Sequence, residues 1–524
     1  MTIAVYLLLL AITVGWLSNR IRIPYPILLL LAGIAVGFLP LSRSISIAPE
    51  LLLAIVLPAA LYPAAIDTSW RDFRRNLRPI LLLAVGFVLV TTLAIGVALK
   101  TLIPSVPWAL AFAFGAIVSP PDAVAATTIL RRFRLPKRIL TILEGESLVN
   151  DASGLVMYRF ALTALLTGSF SAESLAMQFA VIACGGLFIG LAVGWLTTRV
   201  QERLHDPMLE VTMSLTTPFL TYVACEALNV SGVLGVVTAG LYRARWSHTR
   251  ASPETRLNTR IVWYTVLFLA NCFVFSYMGL ALPQTVRGLV SGESPFHWQA
   301  LLRLGLILSL IVIAVRFVWV FPATYLPRWL SRRLRERDPA PSVRAVMLIS
   351  FCGMRGIVSL AIALALPEKL PDGTPFVARE LLIFLTFCVI LATLVGQGLT
   401  LPAFLKLLRL PADHSSESEE TMAREHMRDA AIRAINHLVE DQDLPAYVAI
   451  GAKRALAAES THTHGTDGTS EHLSPDGKLW LHVIDAQRGE LLKLWEEEKV
   501  GDAVLRHLER ELDLVAARVV HREP

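Results

Sequence analysis

Residues 115–130 read GAIVSPPDAVAATTIL. The run is mostly apolar and carries one charged residue, Asp122, which directly follows Pro120 and Pro121. Two prolines remove two backbone donors and disfavour helix just before them. The sequence therefore predicts a helix that breaks in mid-run and frees the carbonyls near residues 118–121. In a bilayer such a break is tolerated only where protein or a water-filled cavity satisfies the freed groups. A simple proline kink is the competing reading; the aspartate beside the break favours a binding site.

The rest of the chain says that a bilayer is the setting. Of 524 residues, 54% are hydrophobic and 17% charged, against roughly 25% charged in an ordinary soluble domain. Apolar runs recur from the first residues to about Leu410. Since a span takes about 20 apolar residues, these runs predict an all-α membrane protein of about thirteen transmembrane helices. They fall near 2–18, 23–40, 48–66, 79–99, 107–130, 138–167, 174–197, 208–228, 231–242, 261–282, 299–327, 343–366 and 380–408. The first run lacks a basic leader and a small-residue cleavage site, so it reads as a span and not a signal peptide. Odd-numbered loops, such as WRDFRRNLR and RRFRLPKR, hold roughly two dozen Lys and Arg against a handful in the even loops. That asymmetry places the N-terminus outside and the C-terminal tail in the cytoplasm. The net charge of +6 reports topology more than partners. The five cysteines sit inside apolar runs as small core residues, with no disulfide or zinc spacing.

Near Pro411 the composition turns polar, which divides the chain into a membrane domain, 1–410, and a tail, 411–524. The tail segment KLWLHVIDAQRGELLKLWEEEKVGDAVLRHLERELDLVAARVV carries apolar residues at three- and four-residue spacing, as amphipathic helices do. Nine of the twelve histidines lie in this tail, and His462 and His464 read as incidental residues of a polar linker rather than metal ligands. No HExxH, phosphate loop or nucleophile elbow occurs, so neither an enzyme nor a cofactor is expected.

Ionisable groups inside spans default to function. The richest stretch is LEGESLVNDASG, 143–154, with Glu144, Glu146 and Asp151. On a helix Ser147 and Asp151 share a face, as do Glu146 and Asn150. Hydroxyl, amide and carboxylate oxygens are hard ligands suited to a small alkali cation. The competing reading is a set of buried acids, each neutralised by an arginine. The twelfth span, SFCGMRGIVSLAIALALP, holds Arg355 between Gly353 and Gly356. Small residues there weaken the helix and allow close crossing, and an arginine that keeps its proton calls for a carboxylate. Spans five and twelve run in opposite directions, which predicts inverted-topology repeats with two broken, crossed helices. Arg159, Glu210 and Arg303, nearer span ends, read as snorkelling residues.

GAIVSPPDAVA, LEGESLVNDASG and FCGMRGIVSLAIALALP, together with TYVACEALNVSGVLGVVTAGL and FVFSYMGLALP, resemble the monovalent cation:proton antiporter-1 family, the sodium/proton exchangers. The resemblance spans about residues 1–410. It implies a six-helix core domain, a dimerisation domain, a homodimer in the plasma membrane, and exchange of Na⁺, K⁺ or Li⁺ for H⁺. It implies that Asp151 carries either the cation or the proton, with Ser147, Asn150, Asp122 and the carbonyl of Pro121 forming or polarising the site. It also implies a structural bridge between Glu146 and Arg355. Glu144 would line the cytoplasmic funnel or face the arginine-rich loop. Two departures stand out. The family's Thr-Asp-Pro is Pro121-Asp122-Ala123 here, so a threonine oxygen is replaced by a backbone carbonyl. The acid common in the third span is replaced by Pro63, with Asp67 one turn later. Both changes leave cation selectivity and pH profile open. Two other classes compete: a symporter for another solute on the same fold, and a channel or a sensor with the tail as effector.

Overall fold

The computed structural model describes residues 2–21, 23–38, 49–131, 133, 135–167, 172–204, 206–291, 298–367, 376, 378–411, 413–441, 445–459 and 477–520. Among these residues every regular element is helical. The chain forms two compact units. The first comprises Met1–Arg203, Thr212–Arg245 and Val262–Ala412; the second comprises Leu204–Val211, Trp246–Ile261 and Asp413–Pro524.

The first unit begins with α1 (Thr2–Ile21), α2 (Tyr25–Gly37) and α3 (Pro49–Ile66). Two short helices follow, α4 (Trp70–Arg75) and α5 (Leu77–Leu81), then a π-helical turn at Leu82–Phe87 and α6 (Val88–Leu102). The prolines of the fifth span do break it: α7 (Trp108–Val118) stops before them and α8 (Ala123–Leu130) restarts after. The long helices α9 (Lys137–Thr167), α10 (Ala172–Gln201), α11 (Pro207–Ala227), α12 (Gly232–Arg250), α13 (Pro253–Ser291) and α14 (Trp298–Leu330) come next. After α15 (Arg332–Arg337) the glycines of the twelfth span make a second break, between α16 (Val343–Phe351) and α17 (Ile357–Leu364). The unit closes with α18 (Ala378–Ile390), a π turn at Leu391–Gln397, and α19 (Gly398–Leu408). Among the described residues, six segments are each long and apolar enough to cross a bilayer: Leu77–Leu102, Trp108–Leu130, Met177–Gln201, Pro253–Arg287, Trp298–Leu330 and Ala378–Leu408.

Local chemistry sets several of these boundaries. Ser69 and Ser342 cap α4 and α16, accepting from the amides of Asp72 (3.2 Å) and Ala345 (3.3 Å). The wide turn at Leu82 displaces a carbonyl, and the Trp319 indole donates to it at 2.9 Å. The core around the first break is fully buried, with Phe114, Ile117 and Val118 of α7 against Leu385 and Phe387 of α18 in one apolar cluster.

Close helix contacts rest on small residues. Along α10, Gly186, Gly190 and Gly194 recur every four positions and meet Ser231, Gly235 and Ala239 of the next hairpin. A Cβ at Gly190 would fall on the backbone carbonyl of Gly235.

The second unit gathers α20 (Ser415–Glu440), α21 (Ala446–Glu459), α22 (Gly477–Glu496) and α23 (Asp502–Val520). Met427, Leu491, Leu505, Leu508 and Leu512 form one apolar core, and Ile435, Leu479, Trp480 and Val483 another. Residues 246–261, which the sequence reading assigned to a basic loop, belong to this unit as well. Buried Asp513 of α23 joins them, accepting from Arg256 Nε at 2.9 Å and from Arg488 Nη2 at 2.7 Å. His462 and His464 lie outside the described residues.

The glycine stripe yields a direct test. Gly190→Ala is expected to destabilise the protein by about 1–3 kcal/mol through overpacking. Gly396→Ala, where an added Cβ meets nothing within 4 Å, is expected to leave the thermal midpoint of the purified protein unchanged.

Candidate functional site

The two breaks touch. The amide of Asp122, in the first, donates to the carbonyl of Met354, in the second, at 2.7 Å. The carbonyls freed at the ends of α7 and α16 converge on one side chain. Arg355 Nε donates to the Val118 carbonyl at 2.9 Å, Nη2 to that of Ser119 at 3.5 Å, and Nη1 to that of Gly353. Its own amide donates to Thr393 Oγ1 at 3.0 Å. Each helix C-terminus carries roughly half a negative charge, so two of them give a guanidinium much of what a carboxylate would.

The amide ends are handled by the opposite charge. Asp122 caps α8, its Oδ1 accepting from the amide of Val124 at 2.8 Å, while Ser147 Oγ accepts from the amide of Ala123 at 3.3 Å. Its other oxygen lies against Gly356, the residue before α17, where any Cβ would collide with it. Asp122 thus sits against the starts of two helices.

The neighbouring helix α9 supplies the remaining groups. Glu146 is fully buried and binds Arg316 of α14 through both oxygens, at 2.7 and 2.8 Å. This corrects the expected Glu146–Arg355 bridge. Arg355 is engaged by backbone carbonyls at the crossing, and α14 lays Arg316 alongside Glu146 in the two-pronged geometry that a guanidinium and a carboxylate favour. The ring of Phe87, from the π turn, faces both cations, 5.0 Å from Arg316 Cζ and 5.6 Å from Arg355 Cζ.

One turn on, Asn150 Nδ2 donates to the Pro121 carbonyl at 2.6 Å, tying α9 to the first break. Its Oδ1 is buried and has no hydrogen-bond partner among the described residues. Asp151 is 7% exposed. Among the described residues it forms no hydrogen bond or ion pair, and Asp122 is its charged neighbour. The structure therefore brings Pro121, Asp122, Ser147, Asn150 and Asp151 to one place, and sets Glu146 and Arg355 to separate structural tasks.

Glu144 lies one side of this cluster, bonded to Arg131 at 2.9 Å, with Asp67 in electrostatic reach of that arginine. Two turns to the other side Arg159, expected to snorkel, binds Glu226 of α11 at 3.1 and 3.2 Å. Pro63 is buried in α3. Sequence reasoning marks Arg316 and Glu226 as charges inside spans without naming their partners, and it does not single out Thr393. A mid-span arginine such as Arg316 was itself a signal.

A family model described as sodium/hydrogen exchanger, transmembrane, matches residues 7–407. The chain belongs to the sodium/hydrogen exchanger family. An uncharacterized Na(+)/H(+) exchanger of Mycobacterium bovis is 31% identical over 522 residues, covering 98% of this chain and 95% of its own. A sodium, potassium, lithium and rubidium/H(+) antiporter of Bacillus pumilus is 32% identical over 95% of this chain and 75% of its own. The structure of the sodium proton antiporter MjNhaP1 from Methanocaldococcus jannaschii superposes with a TM-score of 0.62 at 21% identity, over 78% of this chain and 99% of that one. The exchanger is thus a multi-pass membrane protein with an antiporter-like helical fold, and its relatives are transporters rather than enzymes.

In the exchanger, cutting one side of the buried bridge strands a charge, a loss of about 3–5 kcal/mol. Glu146→Gln and Arg316→Gln are each expected to destabilise on that scale, and the double variant by clearly less than their sum. Glu146→Gln combined with Arg355→Gln is expected to depart less from additivity, because no hydrogen bond joins that pair although their charges sense one another. A double-mutant cycle on thermal unfolding reads both.

Proposed function

We propose that the exchanger moves Na⁺, K⁺ or Li⁺ out of the cell against an inward proton, by alternating access across the plasma membrane, with Asp151 as the shared binding group. The observation that supports this most is the isolation of Asp151. The other buried charges of this region, Glu146, Arg355 and Asp122, each have a fixed partner, while Asp151 is buried with none among the described residues.

A bare carboxylate held from water is costly. A proton neutralises it, and so does a monovalent cation, and one site holds one or the other. If the protein reorients only when the site is neutral, the two ions must exchange. Asn150 Oδ1 and Ser147 Oγ supply neutral hard oxygens beside it. Asp122, held at two helix starts, polarises the site, and the Pro121 carbonyl positions Asn150. The cation is substrate, not a resident cofactor.

The Bacillus pumilus relative is named for four alkali cations. The threonine hydroxyl replaced at Pro121 would have been a further fixed ligand. Both favour a broad cation range here. The accompanying architecture in this reading is thirteen spans in inverted repeats, divided between a core and a dimerisation part, in a homodimer with the N-terminus outside. The helical tail would lie in the cytoplasm and adjust transport.

The test is a pH-gradient dye assay in everted vesicles. The wild type is expected to dissipate the gradient on addition of Na⁺, K⁺ or Li⁺, and Asp151→Asn to lose essentially all of that response. Retention of cation-dependent proton flux by Asp151→Asn would reject the mechanism; cation flux without proton movement would point to a channel.

A further inference from the structure

Arg78, in α5, is a further group in the membrane unit whose charge is left over among the described residues. All three nitrogens of its side chain are buried and have no hydrogen-bond partner among the described residues. A guanidinium does not shed its proton, and a buried unpaired charge is costly.

Its surroundings add to the imbalance. Among the described residues, the charged groups that act on it are Arg328, Asp338 and Arg138. Asp338 is the one acid among them, and its carboxylate is already committed. One oxygen lies 2.6 Å from Arg328 Nη2 and the other 2.7 Å from Arg138 Nη2. Other donors of those arginines are turned inward too. Arg138 Nε binds Asn76 Oδ1 at 3.0 Å, Arg328 Nε binds the Asp338 carbonyl at 3.0 Å, and Arg328 Nη1 binds the Thr324 carbonyl. Three guanidinium groups, from α5, the start of α9 and the end of α14, therefore share one carboxylate.

We propose that Arg78, Arg138 and Arg328 form a binding site for a phosphate group, carried by an anionic phospholipid of the cytoplasmic leaflet. A phosphate offers several strong acceptors to the guanidinium fork and supplies the missing negative charge. The flanking chain favours a lipid as the carrier. Trp70, Leu77 and Leu81 are 48%, 39% and 42% exposed, and Arg74 and Arg75 are exposed among them. Apolar and basic side chains exposed on one short stretch suit acyl chains and head groups together. The stretch belongs to a loop that the charge asymmetry assigns to the cytoplasm, and basic pockets between helices on that side suit phosphorylated head groups. The site is separate from the exchange site: Arg138 and Asp151 lie on one helix, about 20 Å apart along its axis. The inference rests on the membrane topology and not on the transport mechanism.

The full-length protein, delipidated in neutral detergent, is melted with phosphatidylcholine, phosphatidylglycerol or inorganic phosphate added. Phosphatidylglycerol is expected to raise the midpoint by a few degrees over phosphatidylcholine, by mass action on the folded state. A comparable shift with inorganic phosphate would keep the site and make a soluble phosphate its source. Arg78→Met, which removes the stranded charge, is expected to melt no lower than wild type in phosphatidylcholine and to lose the anion-dependent shift. Asp338→Asn, which frees two guanidinium groups, is expected to enlarge it. An unchanged shift in Arg78→Met, an unenlarged one in Asp338→Asn, or no shift in the wild type with either anion overturns the proposal.

Discussion

The contact between the two helix breaks is the constraint on which the site depends. Breaking a helix in a membrane releases carbonyls at one side and amides at the other, and neither tolerates being left bare there. Here both breaks are resolved jointly. Arg355 takes the carbonyl side, binding at Val118, Ser119 and Gly353, and Asp122 takes the amide side, at Val124. Because each charge lies at helix ends of opposite polarity, neither needs the other, nor any remaining ionisable group. The acids of α9 are thereby free of structural duty at the crossing.

That freedom is divided unequally along α9. Glu146 is held by Arg316, and a fully buried bridge of this kind adds little net stability over an apolar pair, because desolvation offsets much of the attraction. Its effect is one of placement: it locks the rotation of α9 against α14, and Asn150, bonded to the Pro121 carbonyl, locks it against the first break. With α9 fixed at both points, Asp151 is presented beside Asp122 and, among the described residues, not toward any cationic side chain. A carboxylate kept from a permanent partner is one that a transient partner can occupy.

The six long apolar segments, the two breaks and the grouping of residues around Asp151 were legible in the sequence because each rests on local chemistry: apolar run length, proline's missing donor, and i to i+4 spacing. Partner choice was not. Glu146 and Arg316 are 170 positions apart, and nothing local distinguishes Arg316 from Arg355 as the counter-ion. The rule that an arginine needs a carboxylate also missed that converging helix ends can replace one. Arg159, near a span end and partly exposed as a snorkelling residue would be, also has a partner that spacing does not name, Glu226 on another helix. Residues 246–261 likewise join the tail unit, where Arg256 bonds Asp513, some 250 positions further along the chain, and amphipathic spacing alone names no such partner.

One rule orders the charges of the membrane unit: a charge withdrawn from water must be balanced, and the identity of the balancing group tells what the residue does. Where a side chain balances it, as Arg316 does Glu146, the role is to fix two helices. Where the backbone balances it, as at Arg355, the role is to make an interruption of helix stable. Asp151 and the guanidinium nitrogens of Arg78 are buried with no such partner among the described residues. Their signs are opposite, so the ligands that would complete them are opposite as well. As proposed, a proton or alkali cation would complete the carboxylate and a phosphate the guanidinium. Only the first of these needs to leave again during a cycle, which fits the neutral oxygens of Asn150 and Ser147 around Asp151 and the cluster of fixed cations around Arg78.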